Sequence, residues 1–237
     1  MTSQGADEIH RRHAEILDRV ARAAERCGRD PAGVALLAVT KTHPAVVVRE
    51  AALAGLTRFG ENRVAEGASK IGALRPEFPA LVWKLIGPLQ TNKARAALQW
   101  FSVVETLDRE RLASRLEALL PPDAPPYPVL VEINIASEAS KSGAGPSEAE
   151  ALIAAVLERG RLDLRGLMAV PPFDENPEAA RHHFRRLRKI RDGLADRFGR
   201  AFPELSMGMS HDFEVAIEEG ATEIRLGTAL FGDRSAT

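Results

Sequence analysis

A lysine at the end of an apolar run is the first feature of this sequence that could do chemistry. Residues 34–39 are all apolar, Lys41 follows them and Pro44 closes the segment. A run that is apolar on both faces is typical of a parallel strand covered by helices, and such a strand would deliver Lys41 to its carboxyl end. In a desolvated pocket, where burial lowers its pKa, the amine could attack a carbonyl and form a Schiff base. The alternative on this stretch alone is a solvated lysine just past a strand end.

Two loops near the end of the chain have residue types that could hold a phosphate. They are residues 206–210, Ser-Met-Gly-Met-Ser, and residues 227–229, Gly-Thr-Ala. Each loop combines hydroxyls with a glycine that lets backbone N–H groups approach a ligand, and each comes just before a predicted helix. Either loop alone is weak evidence, because Gly and Ser are common in loops. Together they indicate a phosphate site.

Arg225 lies within the last predicted strand of the chain. Ile224 and Leu226 share one face of that strand, and Glu223 and Arg225 share the other. If the sheet closes into a barrel, the apolar face packs on helices and Arg225 points inward near the mouth. Two interpretations stay open at this point. Arg225 forms an internal ion pair with a carboxylate such as Glu223, or it faces a ligand bound at the barrel mouth.

Strands and helices alternate along the whole chain, which predicts the architecture that would bring these residues together. An amphipathic helix is predicted over residues 6–27, ahead of the first strand. The eight predicted strands, each followed by a helix, are residues 34–39, 57–60, 81–86, 101–106, 128–135, 162–170, 204–207 and 222–226. We predict a single (β/α)8 TIM barrel domain over residues 1–237, with the barrel proper at about 34–232 and an extra N-terminal helix. A doubly wound open sheet is the structural alternative.

A barrel of this kind places its last strand beside its first and binds phosphates on the loops after strands seven and eight. A phosphate on those loops would then lie near Lys41. A Schiff-base-forming amine beside a phosphate site suggests pyridoxal 5′-phosphate (PLP), whose aldehyde reacts with lysine. Beside PLP, Arg225 would face the pyridine nitrogen, and its permanent charge would oppose protonation there.

The composition limits the class of protein. Hydrophobic residues make up 45% of the chain, charged residues 27%, and the net charge is -1, so we expect no nucleic-acid and no membrane partner. The arginines of the basic helix at residues 178–198 are interpreted as a solvated face. The single cysteine, Cys27, excludes an internal disulfide, and the six histidines show no metal-ligand spacing. With no signal or spanning segment recognised, we expect a cytoplasmic protein with no metal site.

Six motifs together resemble one family. They are Ala-Val-Thr-Lys-Thr at 38–42, Phe-Gly-Glu-Asn at 59–62, Ile-Gly-Pro-Leu-Gln-Thr-Asn-Lys at 86–93, Leu-Arg-Gly-Leu-Met at 164–168, Leu-Ser-Met-Gly-Met-Ser at 205–210 and Arg-Leu-Gly-Thr-Ala-Leu-Phe-Gly at 225–232. In this order, over about residues 36–234, they resemble the pyridoxal phosphate homeostasis protein family. The resemblance implies a barrel of the alanine-racemase N-terminal-domain type without that enzyme's second domain. It also implies that PLP is held as a Schiff base on Lys41.

The resemblance assigns further residues to the cofactor. The phosphate would be held by Ser206, Ser210, Gly227 and Thr228, the pyridine nitrogen would face Arg225, and Asn62 and Met168 would lie close to the cofactor. Two positions depart from the family pattern. Lys84 stands where we expect a histidine, and His211 where we expect an acidic residue, so a proton-handling or charge-pairing role at these positions is in doubt. Lys93 and Lys141 belong to recurrent motifs, but no role follows for them from the sequence.

The resemblance implies a protein of intracellular PLP (vitamin B6) homeostasis with no established catalytic activity. Such a protein would store or buffer PLP, or deliver it to PLP-dependent apoenzymes, and we expect a monomer. The alternative is a PLP-dependent amino-acid racemase, which needs two bases on opposite faces of its substrate. The chain's single tyrosine, Tyr127, is predicted at the entry of strand five, at the opposite end of the barrel. A cofactor-free Schiff-base aldolase is a third possibility, but it does not account for Arg225.

Overall fold

A closed barrel of eight parallel strands forms the centre of the molecule. The computed structural model describes residues 3–136 and 142–232. The strands follow one another around the barrel in chain order, and helices lie between them on the outside. This confirms the predicted (β/α)8 barrel and excludes the open doubly wound sheet.

The elements have the following bounds. The strands are β1 Ala35–Val39, β2 Arg58–Glu61, β3 Val82–Leu85, β4 Val103–Leu107, β5 Tyr127–Glu132, β6 Leu162–Met168, β7 Glu204–Met209 and β8 Glu223–Leu226. The helices are α1 Ser3–Arg26, α2 Ala45–Leu53, α3 Val64–Leu74, α4 Ala94–Trp100, α5 Glu110–Leu119, α6 Pro146–Arg159, α7 Arg181–Phe198, α8 Phe213–Glu218 and α9 Thr228–Phe231.

The barrel closes between its first and last strands. β1 pairs with β2 on one side and with β8 on the other, where Leu37 lies opposite Arg225 and Ala38 opposite Leu226. Both Leu37 and Ala38 are fully buried, as expected for a strand with helices on one face and the barrel interior on the other. This closure brings the residues that follow β1 next to the loop that follows β8.

The N-terminal helix covers the outside of the barrel near this closure. α1 packs against α2, α8 and α9, and the side chains of Ile9, Ile16 and Val20 are buried beneath it. The predicted N-terminal helix is therefore confirmed. In the described parts of the chain, no helix has the length and apolarity that crossing a lipid bilayer requires.

β7 is longer than predicted, and the difference matters for the site. The strand continues to Met209, beyond the predicted end at residue 207, because an extra residue is accommodated in its pairing with β8. Ser206 pairs with Glu223, and Met209 pairs with Arg225. Between these two pairs the chain advances three residues along β7 but two along β8. Gly208 at this bulge has a φ of +93°, which a residue with a side chain rarely adopts.

Candidate functional site

A cavity of about 380 Å³ opens at the carboxyl end of the barrel, within the range of small-molecule sites. Six of the eight residues predicted for the cofactor line it: Lys41, Asn62, Ser210, Arg225, Gly227 and Thr228. The other lining residues are Val39, His43, Ile86, Val170, Phe173, Met209, His211 and Gly232. The folded chain therefore brings together residues that the sequence spreads over nearly 190 positions, from Lys41 to Thr228.

Met168 and Ser206 are not among the lining residues. Met168 is the last residue of β6 and is almost completely buried. Ser206 was expected to hold the phosphate where predicted strand seven meets its loop, but it lies inside β7, fully buried in the barrel interior. The continuation of β7 to Met209 is the physical reason, because it moves the loop away from Ser206.

Lys41 occupies a tight turn directly after β1 and is half-buried at the cavity wall. The N–H of Thr40 donates to the Gly60 carbonyl, and the Thr40 carbonyl accepts from the N–H of His43, both at 3.0 Å. Between these bonds, Thr42 has a φ of +69° and is the one residue other than glycine with a positive φ in the described chain. For a β-branched residue this conformation costs on the order of 1–3 kcal/mol, so its surroundings must hold it in place.

Behind this turn lies a largely buried group that we call the Lys70 cluster: Thr40, Glu61, Lys70 and the partly exposed Glu66. The ammonium of Lys70 is 2.7 Å from Glu61 Oε1 and 2.7 Å from Glu66 Oε1. The hydroxyl of Thr40 donates to Glu61 at 2.6 Å. The sequence-based reasoning did not identify this cluster. Its signal was a lysine between Gly67 and Ile71 on the core-facing side of α3, where an apolar residue would be expected.

Arg225 lies in β8 and lines the cavity from the barrel interior. Its guanidinium is buried and donates to Ser206 Oγ at 2.9 Å and to the Ala169 carbonyl at 2.8 Å. Glu223 pairs with Lys84 instead, at 2.7 Å. Of the two interpretations of Arg225, the cation at the ligand cavity is therefore the one that the geometry favours.

Beneath Arg225 the barrel interior holds a second buried group, which we call the Lys84 cluster: Lys84, Glu105, Ser206 and Glu223. Lys84 Nζ is 2.9 Å from Glu105 and also lies 3.2 Å from Glu204 at the cluster's edge. Ser206 Oγ is 2.7 Å from Glu105 Oε2 and 3.1 Å from Glu223 Oε1. Lys84 is thus an interior ion-pair residue, and Ser206 links its carboxylates to Arg225.

The charges in the Lys84 cluster are unequal. Burial raises the pKa of Glu223 well above its ordinary value, and the neighbouring Glu105 raises it further. Burial also acts against ionisation of Glu105, but the charges of Lys84 and Arg225 and the hydrogen bonds from Glu223 and Ser206 together lower the pKa of Glu105. Burial would lower the pKa of Lys84, yet the surrounding carboxylates raise it. Of the two buried carboxyl groups, Glu105 therefore ionises more readily beside Lys84, and Glu223 holds its proton more strongly.

The loops after β7 and β8 supply hydrogen-bond donors to the cavity. The N–H groups of Gly227 and Ala229 both donate to Ser210 Oγ, each at 3.2 Å. Asp212 Oδ1 accepts from the N–H of Met209 at 2.6 Å, which fixes the turn that carries Ser210. Thr228, at the start of α9, adds an exposed hydroxyl.

The rim of the cavity is aromatic and partly exposed. His211 Nε2–H donates to the Glu175 carbonyl at 2.9 Å, and its ring lies 5.5 Å from the ring of Phe173. Phe173 is 75% exposed. His211 therefore ties the loop after β6 to the rim, in the position where an acidic residue was expected.

The chemistry of the lining fits the cofactor that the sequence suggests. Within the described ranges, no Asp or Glu side chain lines the cavity, whereas an amine, a guanidinium, two hydroxyls and backbone N–H groups do. A phosphate and a pyridine nitrogen are both acceptors, and an aldehyde reacts with an amine, so this donor set suits PLP. No group of three or more His, Cys, Asp or Glu residues is placed to hold a metal ion in the same part of the chain.

Three further residues from the sequence analysis lie elsewhere. Tyr127 begins β5 at the amino end of the barrel, where its hydroxyl donates to the Phe101 carbonyl at 2.9 Å. Lys93 is exposed just before α4 and is not among the lining residues. Lys141 lies outside the described residues.

Comparisons with known proteins identify the family of this chain. The family model of the alanine racemase N-terminal domain matches residues 13–235. The pyridoxal phosphate homeostasis protein of Pseudomonas aeruginosa is 47% identical over 221 residues, 93% of this chain and 94% of its own. Its counterpart from Aquifex aeolicus is 43% identical over 223 residues, 94% of this chain and 97% of its own. PipY of Synechococcus elongatus, solved with PLP bound, is 34% identical with a TM-score of 0.79, covering 90% of this chain and 100% of its own.

Proposed function

The chain belongs to the pyridoxal phosphate homeostasis protein family, and from this premise we propose that it binds PLP at the carboxyl end of its barrel and acts in PLP homeostasis. One observation carries the proposal. Lys41, Arg225 and the donors around Ser210 line a single cavity, so an amine, a cation and a phosphate-binding end face one space. The related PipY binds PLP in its solved structure.

The lining residues divide between the two ends of the cofactor. Lys41 would bond covalently to the aldehyde carbon. Ser210, Gly227 and Thr228 would hold the phosphate, whose negative charge is favoured near the backbone N–H groups at the start of a helix. Ser206 is left out of this group, because its hydroxyl is engaged by Arg225 and the interior carboxylates. Asn62 would lie beside the ring.

Arg225 would set the electronic character of the bound ring. When bound, PLP supplies an aldehyde that condenses with amines and a ring that accepts electron density. The guanidinium is charged at every physiological pH, and two hydrogen bonds hold it in place. A fixed cation beside the pyridine nitrogen opposes its protonation and weakens the ring as an electron acceptor. We infer that PLP is held here without amino-acid turnover.

A racemase is the less supported alternative. Removal and return of an α-proton on opposite faces needs a second base beside Lys41. Tyr127, the chain's one tyrosine, is at the other end of the barrel and is held by the Phe101 carbonyl. Burial also raises the pKa of Tyr127, so it is a poor source of a phenolate base. The alanine-racemase likeness supports the fold and the cofactor site rather than this reaction.

Three expectations stay predictions: that the protein is cytoplasmic, that it is a monomer, and that it passes PLP to PLP-dependent apoenzymes. The partly exposed rim of the cavity is compatible with release of the cofactor. Mixing the loaded protein with a PLP-dependent apoenzyme, and comparing its reactivation with that by free PLP, tests the transfer. Sedimentation velocity tests the monomer.

The binding proposal is tested by titrating the protein with PLP and recording the visible absorbance of lysine-bound cofactor. We expect wild type and a Lys93→Ala control to develop this absorbance, and Lys41→Ala to lack it while melting at a similar temperature. Equal absorbance in Lys41→Ala and wild type would contradict the assignment.

A further inference from the structure

The Lys70 cluster contacts the backbone on both sides of Lys41. We propose that Glu66 and Lys70 are positioning residues that hold the turn carrying Lys41 in the conformation needed for its bond to PLP. This inference rests on the proposed function, since it concerns the same lysine.

The contacts of the cluster converge on the peptide groups next to Lys41. Lys70 Nζ donates to the Thr40 carbonyl at 2.6 Å, and Glu66 Oε1 accepts from the N–H of Thr42 at 2.5 Å. Lys70 and Glu66 are themselves joined at 2.7 Å. One ion pair on α3 therefore forms hydrogen bonds with the backbone of the residue before Lys41 and of the residue after it.

The conformation between these two contacts needs such support. Thr42 has a φ of +69°, a region that β-branched residues avoid. Its N–H bond to Glu66 fixes the peptide that links Thr42 to Lys41. Without an acceptor there, Thr42 would be free to return to an ordinary conformation, and Lys41 would turn with it.

Most of the Lys70 cluster is buried, and Glu66 is its partly exposed member. Lys70 is 6% exposed and Glu61 is fully buried, so solvent does not compete for their contacts. Burial alone would raise the pKa of Glu66, but its bonds from Lys70 and from the Thr42 N–H lower it, so Glu66 is an anion at neutral pH. Burial raises the pKa of Glu61, although Lys70 and Thr40 donate to it. Of the two carboxylates beside Lys70, Glu66 is therefore the one that also contacts the turn.

The arrangement differs from what packing alone would require. A buried ion pair stabilises a fold little more than apolar residues of the same size do. Here the pair forms hydrogen bonds with the backbone of a neighbouring turn. Apolar side chains could not form these bonds. Those bonds determine where the amine of Lys41 lies.

The matched variants Glu66→Ala and Glu66→Gln test the inference. Glutamine keeps an oxygen that can accept from the Thr42 N–H, whereas alanine removes the acceptor. Displacing a reacting group by about 1 Å can cost up to about a hundredfold in rate. We expect PLP to attach to Lys41 at least about tenfold more slowly in Glu66→Ala, and within about threefold of wild type in Glu66→Gln.

A second ligand separates positioning from general damage. 4-Deoxypyridoxine 5′-phosphate keeps the ring and the phosphate but has no aldehyde, so its binding does not depend on Lys41 as a nucleophile. Its affinity should change by less than about twofold in Glu66→Ala. Equal losses for this analogue and PLP, or an unchanged rate of PLP attachment, would overturn the inference.

Lys70→Met provides an independent variant, because it removes the donor to the Thr40 carbonyl. We expect the same split between PLP and the analogue. If Lys70→Met does not fold, the Glu66 pair decides the question. Failure of the proposed function would give a different result. Wild type would then show no PLP attachment at Lys41, and neither would the Glu66 variants.

Discussion

Two buried lysines support the cavity in different ways: Lys70 contacts the turn that carries Lys41, and Lys84 belongs to the cluster that contacts Arg225. Both are about nine-tenths or more buried and both contact glutamates. Lys70 also donates to a backbone carbonyl, that of Thr40, and so acts on the position of a turn. The Lys84 ammonium instead contacts the side-chain carboxyl groups of Glu105, Glu204 and Glu223.

The difference shows how one residue type supports a site in two ways. The Lys84 cluster neutralises carboxylates inside the barrel and, through Ser206, fixes the guanidinium of Arg225. The Lys70 cluster fixes the main chain that carries Lys41. Loss of the Lys84 cluster should therefore lower mainly the folding stability. Loss of the Lys70 cluster should slow mainly the reaction of Lys41 with PLP.

The largest expected effect comes from Lys84→Met. This change leaves Glu105 buried without its counter-ion, and breaking a buried ion pair in this way costs about 3–5 kcal/mol. Lys70→Met should cost less, about 1–3 kcal/mol, because Glu61 keeps its bond from Thr40 and Glu66 is partly exposed. Urea unfolding of the two variants measures both losses.

The rate of PLP attachment should rank the same two variants in the opposite order. Lys70→Met should slow attachment more than Lys84→Met, once both are compared under conditions where they are folded. If Lys70→Met is the less stable protein, or if Lys84→Met slows attachment more, the distinction between the two clusters is wrong.

Ser210→Ala is expected to have a smaller effect, confined to the end of the cavity that neither cluster contacts. A hydrogen bond to a charged group is worth about 1.5–3 kcal/mol, so PLP affinity should fall roughly tenfold or more. Pyridoxal, which lacks the phosphate, should bind wild type and variant alike. Equal losses for both ligands would mean that Ser210 supports the loop, through its bonds with Gly227 and Ala229, rather than the phosphate.

The smallest effect should appear in the pH dependence of stability. Because the folded protein raises the pKa of Glu223, the stability contributed by its protonated form is complete below the ordinary glutamate pKa, about 4.3, and is lost as pH rises through the raised value. Glu223→Gln mimics the protonated form and cannot ionise. Its stability relative to wild type should therefore increase between pH 5 and pH 9, by about 1.4 kcal/mol for each unit by which the pKa of Glu223 is raised in this range. Thermal melting across this range checks it, and a constant difference would contradict the raised pKa of Glu223.

The parts of the site that the sequence predicted follow from strand geometry. An apolar strand that ends in a lysine, and a strand whose arginine alternates with apolar residues, each restrict where a side chain can point. In a closed barrel these restrictions suffice to bring Lys41 and Arg225 to one end.

The parts that could not be predicted depend on local irregularities and on contacts between distant elements. With the bulge at Gly208, β7 continues to Met209 and leaves Ser206 in the barrel interior, away from the loop, and periodicity does not reveal such an insertion. The two clusters join residues from different strands and helices. Their signals were charged residues at buried positions, Lys70 in α3 and Glu105 in β4, but the partners become clear only when the barrel is closed.

The most direct test of the account is to locate the bond between the protein and PLP. Borohydride reduction of the loaded protein followed by peptide mass mapping should place the pyridoxyl group on Lys41. Labelling confined to Lys70, Lys84, Lys93 or Lys141, with Lys41 unmodified, would contradict the account, because the cavity and the positioning of its turn would then serve some other purpose.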